Sequence, residues 1–166
     1  MKRILSSLIG LSLLLASCGQ PQPPASEFNE VDLRKDTTRD VPAEVAVDQT
    51  FKGTIAGQDR DFDYYAFDAD ADARLQINVM SSSVKGSTLD PYVKLYMVSD
   101  DGWPLLEKDD DNVYTPGETG LDSEIRFNAP VKGRYVIEVT SFKLVNDPEA
   151  TDNNPMNLYT LKVSKR

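Results

Sequence analysis

Leu75-Gln76-Ile77-Asn78-Val79-Met80 and Tyr135-Val136-Ile137-Glu138-Val139 set an apolar side chain at every second position. A period of two sends successive side chains to opposite faces of an extended chain, so Leu75, Ile77 and Val79 share one face. Tyr135, Ile137 and Val139 do the same. The pattern continues in both directions. Val93, Leu95 and Met97 alternate with Lys94 and Tyr96; Ile125 and Phe127 with Glu124, Arg126 and Asn128; Tyr159, Leu161 and Val163 with Thr160 and Lys162. Residues 51–55, 62–67 and a short 103–106 segment complete about eight strands. Breakers lie between them, at Gly57-Gln58-Asp59, Gly86-Ser87, Asp101-Gly102, Pro116-Gly117 and Lys132-Gly133. No stretch after residue 50 sustains an apolar period of 3.6. Short, evenly spaced strands without helices predict an all-β fold, an antiparallel β-sandwich of jelly-roll type, over residues 46–166.

Upstream the texture is different. Lys2 and Arg3 precede an apolar run over residues 4–16, shorter than the roughly 20 residues that span a bilayer. That is the layout of a secretory signal. Leu15-Ala16-Ser17-Cys18 resembles the bacterial lipobox, in which the signal is cut before a cysteine that then carries lipid. Residues 1–17 read as a lipoprotein signal peptide and Cys18 as the lipidation site; an ordinary secretory signal ending near a lone cysteine is the alternative. Cleavage removes Lys2 and Arg3 and no acid, leaving the remainder more acidic by two charges. Residues 18–45 read as the lipidated cysteine followed by a tether. Gln20-Pro21-Gln22-Pro23-Pro24 neither pairs as a strand nor continues a helix, and charge dominates residues 27–44. The expected location is extracytoplasmic, on the membrane of a bacterial cell envelope.

The 166 residues hold 18 basic and 27 acidic side chains, a formal charge of -9. Such a surface repels phosphate backbones, so no nucleic-acid partner is expected. There is no histidine, which excludes Ser-His and Cys-His nucleophile pairs and imidazole acid–base chemistry. One cysteine rules out an intrachain disulfide. Asp and Glu are plentiful enough for a paired-carboxylate hydrolase, but nothing in the sequence fixes a pair at a defined separation.

A series of segments appears in a telling order: Gly53-Thr54-Ile55, Asp61-Phe62-Asp63-Tyr64-Tyr65-Ala66-Phe67, Leu89-Asp90-Pro91-Tyr92-Val93-Lys94-Leu95-Tyr96, Asp109-Asp110-Asp111, Leu121-Asp122-Ser123-Glu124-Ile125-Arg126-Phe127, Gly133-Arg134-Tyr135-Val136-Ile137-Glu138-Val139 and Tyr159-Thr160-Leu161. Over about residues 48–163 the chain resembles the bacterial pre-peptidase C-terminal domain, related to the collagen-binding domains of secreted collagenases. The resemblance implies a jelly-roll sandwich and a non-catalytic role beside secreted peptidases. It also implies calcium at Asp61 and Asp63, although the family's upstream acidic motif is missing here.

Calcium takes 6–8 oxygen ligands, so a site needs carboxylates converging from several segments. Asp61 and Asp63 would project to one face, and Asp59 adds a third from the preceding turn. Asp109, Asp110 and Asp111 form a weaker candidate, with a solvated turn as the alternative reading. Asp68-Ala69-Asp70-Ala71-Asp72 begins like an EF-hand loop, but Ala73 and Val79 stand where its glycine and glutamate belong. Ser81-Ser82-Ser83 lacks any nucleophile context. Trp103, Tyr92, Tyr96 and Tyr114 are the candidate partner-binding aromatics, since rings give contact area at low entropic cost. The expectation is a lipid-anchored, non-catalytic binding or accessory module for a protein, peptide or envelope polysaccharide. A structural spacer or stabilising subunit of an envelope assembly or secreted peptidase system is the alternative.

Overall fold

The computed structural model describes residues 38–111 and 121–166. Its strands are β1 (Ala43–Glu44), β2 (Thr50–Thr54), β3 (Asp63–Ala69), β4 (Arg74–Met80), β5 (Pro91–Met97), β6 (Leu105–Asp109), β7 (Ser123–Asn128), β8 (Gly133–Ser141) and β9 (Leu158–Lys165), with one helical turn, α1 (Phe142–Asn146). They form two sheets, ordered β1-β3-β8-β5-β6 and β2-β9-β4-β7. The antiparallel partners are nested: β2 with β9, β3 with β8, β4 with β7, β5 with β6. Successive nested pairs alternate between the sheets, which is the winding of a jelly roll. The predicted all-β sandwich is the observed fold.

The core is the set that the alternation selected. Tyr65, Phe67, Leu75, Ile77, Val79, Val93, Leu95, Ile125, Phe127, Tyr135, Ile137, Val139, Tyr159, Leu161 and Val163 are all buried between the sheets. Removing each such side chain from water contributes about 1.5–3 kcal/mol, which offsets the ordering of the chain. Phe67 stacks on Tyr135 at 5.7 Å, and Phe127 meets both rings at one end of the sandwich. Near the other end, Tyr159 lies across Gly53, its register partner on β2. A Cβ on Gly53 would sit 2.4 Å from the Tyr159 ring, so only glycine admits that tyrosine here. The Tyr159 hydroxyl donates to Asp63 Oδ2 at 2.5 Å and receives a bond from Tyr65 at 2.6 Å, joining the sheets through buried polar atoms.

Three features depart from the sequence reading. The sandwich begins earlier than residue 46: β1 pairs in parallel with β3, and Val45 lies in the core. Two residues of strand leave no periodic trace among the surrounding charges. The segment expected at 103–106 is displaced to Leu105–Asp109, because Ser99 and Gly102 close a tight turn and Pro104 has no N–H to offer a ladder. A bulge between Leu95 and Tyr96 absorbs the mismatch. Lastly, α1 was not anticipated. Five residues are too few for a 3.6-residue pattern, and the helix persists because Ser141 caps it and Leu144 is buried. Arg60 holds its far end, donating to the carbonyls of Leu144 (2.8 Å) and Ala150 (2.7 Å).

Candidate binding face

The outward face of β3, β8 and β5 carries a polar network with aromatic side chains around it. Register places Tyr64, Glu138 and Lys94 side by side across three strands, with Ala66, Val136 and Tyr96 in the next row. Glu138 is the hub. It is almost fully buried, accepts from Lys94 Nζ at 2.6 Å and Tyr96 Oη at 3.1 Å, and is also hydrogen-bonded to Tyr64. A buried carboxylate is tolerated because each of these bonds offsets its desolvation. The tyrosines register the result: burial, then the charge and hydrogen bond of Glu138, push the Tyr64 phenol up to about 12. Tyr96 is raised for the same reasons. Both remain neutral donors throughout the physiological range.

Trp103 borders this face from the β5–β6 connection and is half-buried. The guanidinium of Arg39 lies 4.8 Å from the Trp103 ring centroid and 5.4 Å from that of Tyr96, within cation–π range of both. Residues Thr38 and Arg39 also wall a cleft of about 220 Å³ with Gln58, Phe62 and Tyr64. Of the aromatic candidates, Tyr96 and Trp103 thus converge. Tyr92 is on the same face of β5 but is only 7% exposed, packed near Phe142 with Lys94 over its ring. Tyr114 and Cys18 lie outside the described residues. Sequence reasoning missed Arg39 and Glu138. An acid amid Val136, Ile137 and Val139 was the one available signal for the second; nothing marked the first.

The acidic candidates divide into two environments. Asp61 and Asp63 are buried; Asp61 Oδ2 accepts from the Ala56 amide at 2.8 Å, while Asp63 receives Tyr159. Asp59 is exposed and accepts from Asn153 at 3.0 Å. Asp109 ends β6 and accepts from the Glu124 amide at 2.7 Å; Asp110 accepts from the amide of Asp111. Among the described residues, no group of three or more His, Cys, Asp or Glu side chains is placed to hold a metal ion. Ser81 and Ser82 find their partner in Asp122, a buried carboxylate accepting both backbone amides at 2.8 and 3.0 Å and both hydroxyls.

A jelly-roll sandwich with a polar–aromatic outward face defines a class, the β-sandwich module. The comparisons give the family. Residues 61–141 match the family described as "Bacterial pre-peptidase C-terminal domain", and the chain carries such a domain, a non-catalytic accessory unit. A curated protein of Deinococcus radiodurans, described as a "Probable subtilase-type serine protease", is 32% identical over 116 residues. The match takes in 66% of this chain and 15% of that protein, so the chain spans a small fraction of its relative's length. Among solved structures, the pre-peptidase C-terminal domain of a Bacillus anthracis collagenase superposes with a TM-score of 0.50 at 21% identity. That superposition covers 74% of this chain and 93% of the other, and it shows the shared sandwich. A periplasmic inhibitor of g-type lysozyme from Aeromonas hydrophila reaches a TM-score of 0.49 at 14% identity, covering 75% and 96%.

Proposed function

We propose that this chain is a lipid-anchored, extracytoplasmic binding module. In this reading Cys18 carries the lipid, the residues after it act as a tether, and the sandwich offers the outward face of β3, β8 and β5 to a protein, peptide or envelope polysaccharide. One observation carries the binding role. Tyr64 and Tyr96 are held on the sheet around one buried carboxylate, with Trp103 beside them on the β5–β6 connection, and aromatic groups in fixed positions are the anchors on which interfaces depend. The test is retention of envelope components on the immobilised chain, compared with Trp103→Ala and Tyr96→Ala. Specific retention by the native chain, reduced at least tenfold in both variants, is the expected result. Equal retention by all three would remove the face from the account. For the anchor, labelling with a fatty-acid analogue should mark the native chain and spare Cys18→Ser.

The identity to a subtilase-type protease favours a second reading, an accessory or stabilising subunit for a secreted peptidase. Added to such a peptidase, the chain would slow its thermal inactivation without altering turnover of a small peptide. No effect on that half-life would end this reading.

A further inference from the structure

The binding face is already occupied, and by this chain. Arg39 arrives from the residues ahead of β1, and its guanidinium rests against Tyr96 and Trp103 on the far side of β3 and β8. Tyr96 is pinned through its hydroxyl to Glu138, which Lys94 holds in turn at 2.6 Å, and Trp103 follows the closed Ser99–Gly102 turn. The receptor is preorganised, while its occupant is exposed and lies in the stretch ahead of β1. Apolar side chains flank the contact and remain in water: Val41 at 71% exposure, and Leu105, the register partner of Tyr96, at 49%. A longer segment laid over this face would cover them.

Building on the binding role proposed above, we infer that the Tyr96–Trp103 pocket is a receptor for an arginine side chain of a partner polypeptide, and that Arg39 is an internal stand-in that must leave before the partner's arginine enters. Three features select a guanidinium. A planar cation stacks on two ring faces as an ammonium does not. The chain's own occupant has that chemistry. Finally, the protein carries a formal charge of -9, which steers cationic partners toward it. The latch sets the apparent affinity: if Arg39 is seated nine-tenths of the time, a competing arginine binds about tenfold more weakly than to an open pocket.

Trp103 is the single tryptophan of the chain, so its emission reports the pocket directly. The full chain in non-ionic detergent is titrated with acetyl-arginine-methylamide and with its lysine and citrulline counterparts, beside Arg39→Ala. The expected result is a saturable change with the arginine probe, at about tenfold lower concentration in Arg39→Ala than in the native chain. The lysine probe binds more weakly and the uncharged citrulline probe has no effect. Tyr96→Ala in the Arg39→Ala background abolishes the response. Absence of any response in Arg39→Ala, or an equal response to citrulline, overturns the receptor; equal affinity of native chain and Arg39→Ala overturns the latch. Those failures are separable from failure of the binding role itself. Envelope retention still lost in Trp103→Ala would leave the face intact with a ligand of different chemistry.

Discussion

Asp63 and Asp122 lie within the sandwich; Asp90, Asp109, Asp110 and Asp111 crowd its rim, and the same side chain does opposite work in the two places. Each interior carboxylate has donors aimed at it: the Tyr159 hydroxyl at Asp63, two amides and two serine hydroxyls at Asp122. At the rim one backbone amide reaches Asp109 and one reaches Asp110, and the charged groups around them are other acids. Burial, then the charges of Asp111 and Asp110, raise the Asp90 carboxyl above its ordinary value. Asp109 is raised mainly by burial, against the opposing hydrogen bond from Glu124. What decides whether an acid holds a fold together is the supply of donors, not depth alone.

The strongest way to break this contrast is inside. Asp63→Ala takes the carboxylate acceptor from the Tyr159 hydroxyl, leaving Tyr65 beside it between the sheets, and should cost about 3 kcal/mol, read from denaturant melts; Tyr159→Phe, which removes one donor from the carboxylate, falls in the same range. A loss under 0.5 kcal/mol for both would mean that the buried network is idle. Asp122→Ala comes next, at about 2 kcal/mol, because it releases the Ser81-Ser82 turn after β4 from its anchor just ahead of β7.

The rim is tested by pH. Asp90 and Asp109 have folded pKa values above their unfolded ones, so between the two values the folded state binds more protons. Their contribution to stability is therefore complete at low pH and is lost as pH rises from about 3.8 through the folded values. Asp110→Asn should flatten that decline and leave neutral-pH stability within about 0.5 kcal/mol. A steeper decline in the variant would reverse the assignment. The smallest effect expected is with calcium: excess ion should leave the melting temperature where a chelator leaves it. Saturation at 100 times Kd would instead add about 2.7 kcal/mol, and such a rise would establish a calcium site.

The strands were legible because each announces itself locally. Leu75, Ile77 and Val79, or Tyr135, Ile137 and Val139, mark an inner face within a few residues, and both sets are buried as expected. α1 was invisible for the opposite reason: its stability comes from the Ser141 cap and from Arg60, which lies 84 residues from the Leu144 carbonyl it binds. The candidate face was half legible. Trp103, beside a turn, and Tyr96, on a strand, stand out as candidate anchors, but Tyr92 alternates in the same pattern and is covered.

Composition and period by themselves determined that this acidic chain, without histidine, folds as a sandwich of short strands. Alternation is a property of neighbours in sequence, and burial follows from it directly. The tertiary structure alone decided that Tyr65 and Tyr159 share a hydrogen bond across 94 residues, that Glu138 gathers Lys94, Tyr96 and Tyr64, and that Arg39 reaches Tyr96 and Trp103. Which strands become neighbours is set by sheet order and register, and those depend on the packing of the whole chain rather than on any stretch of it.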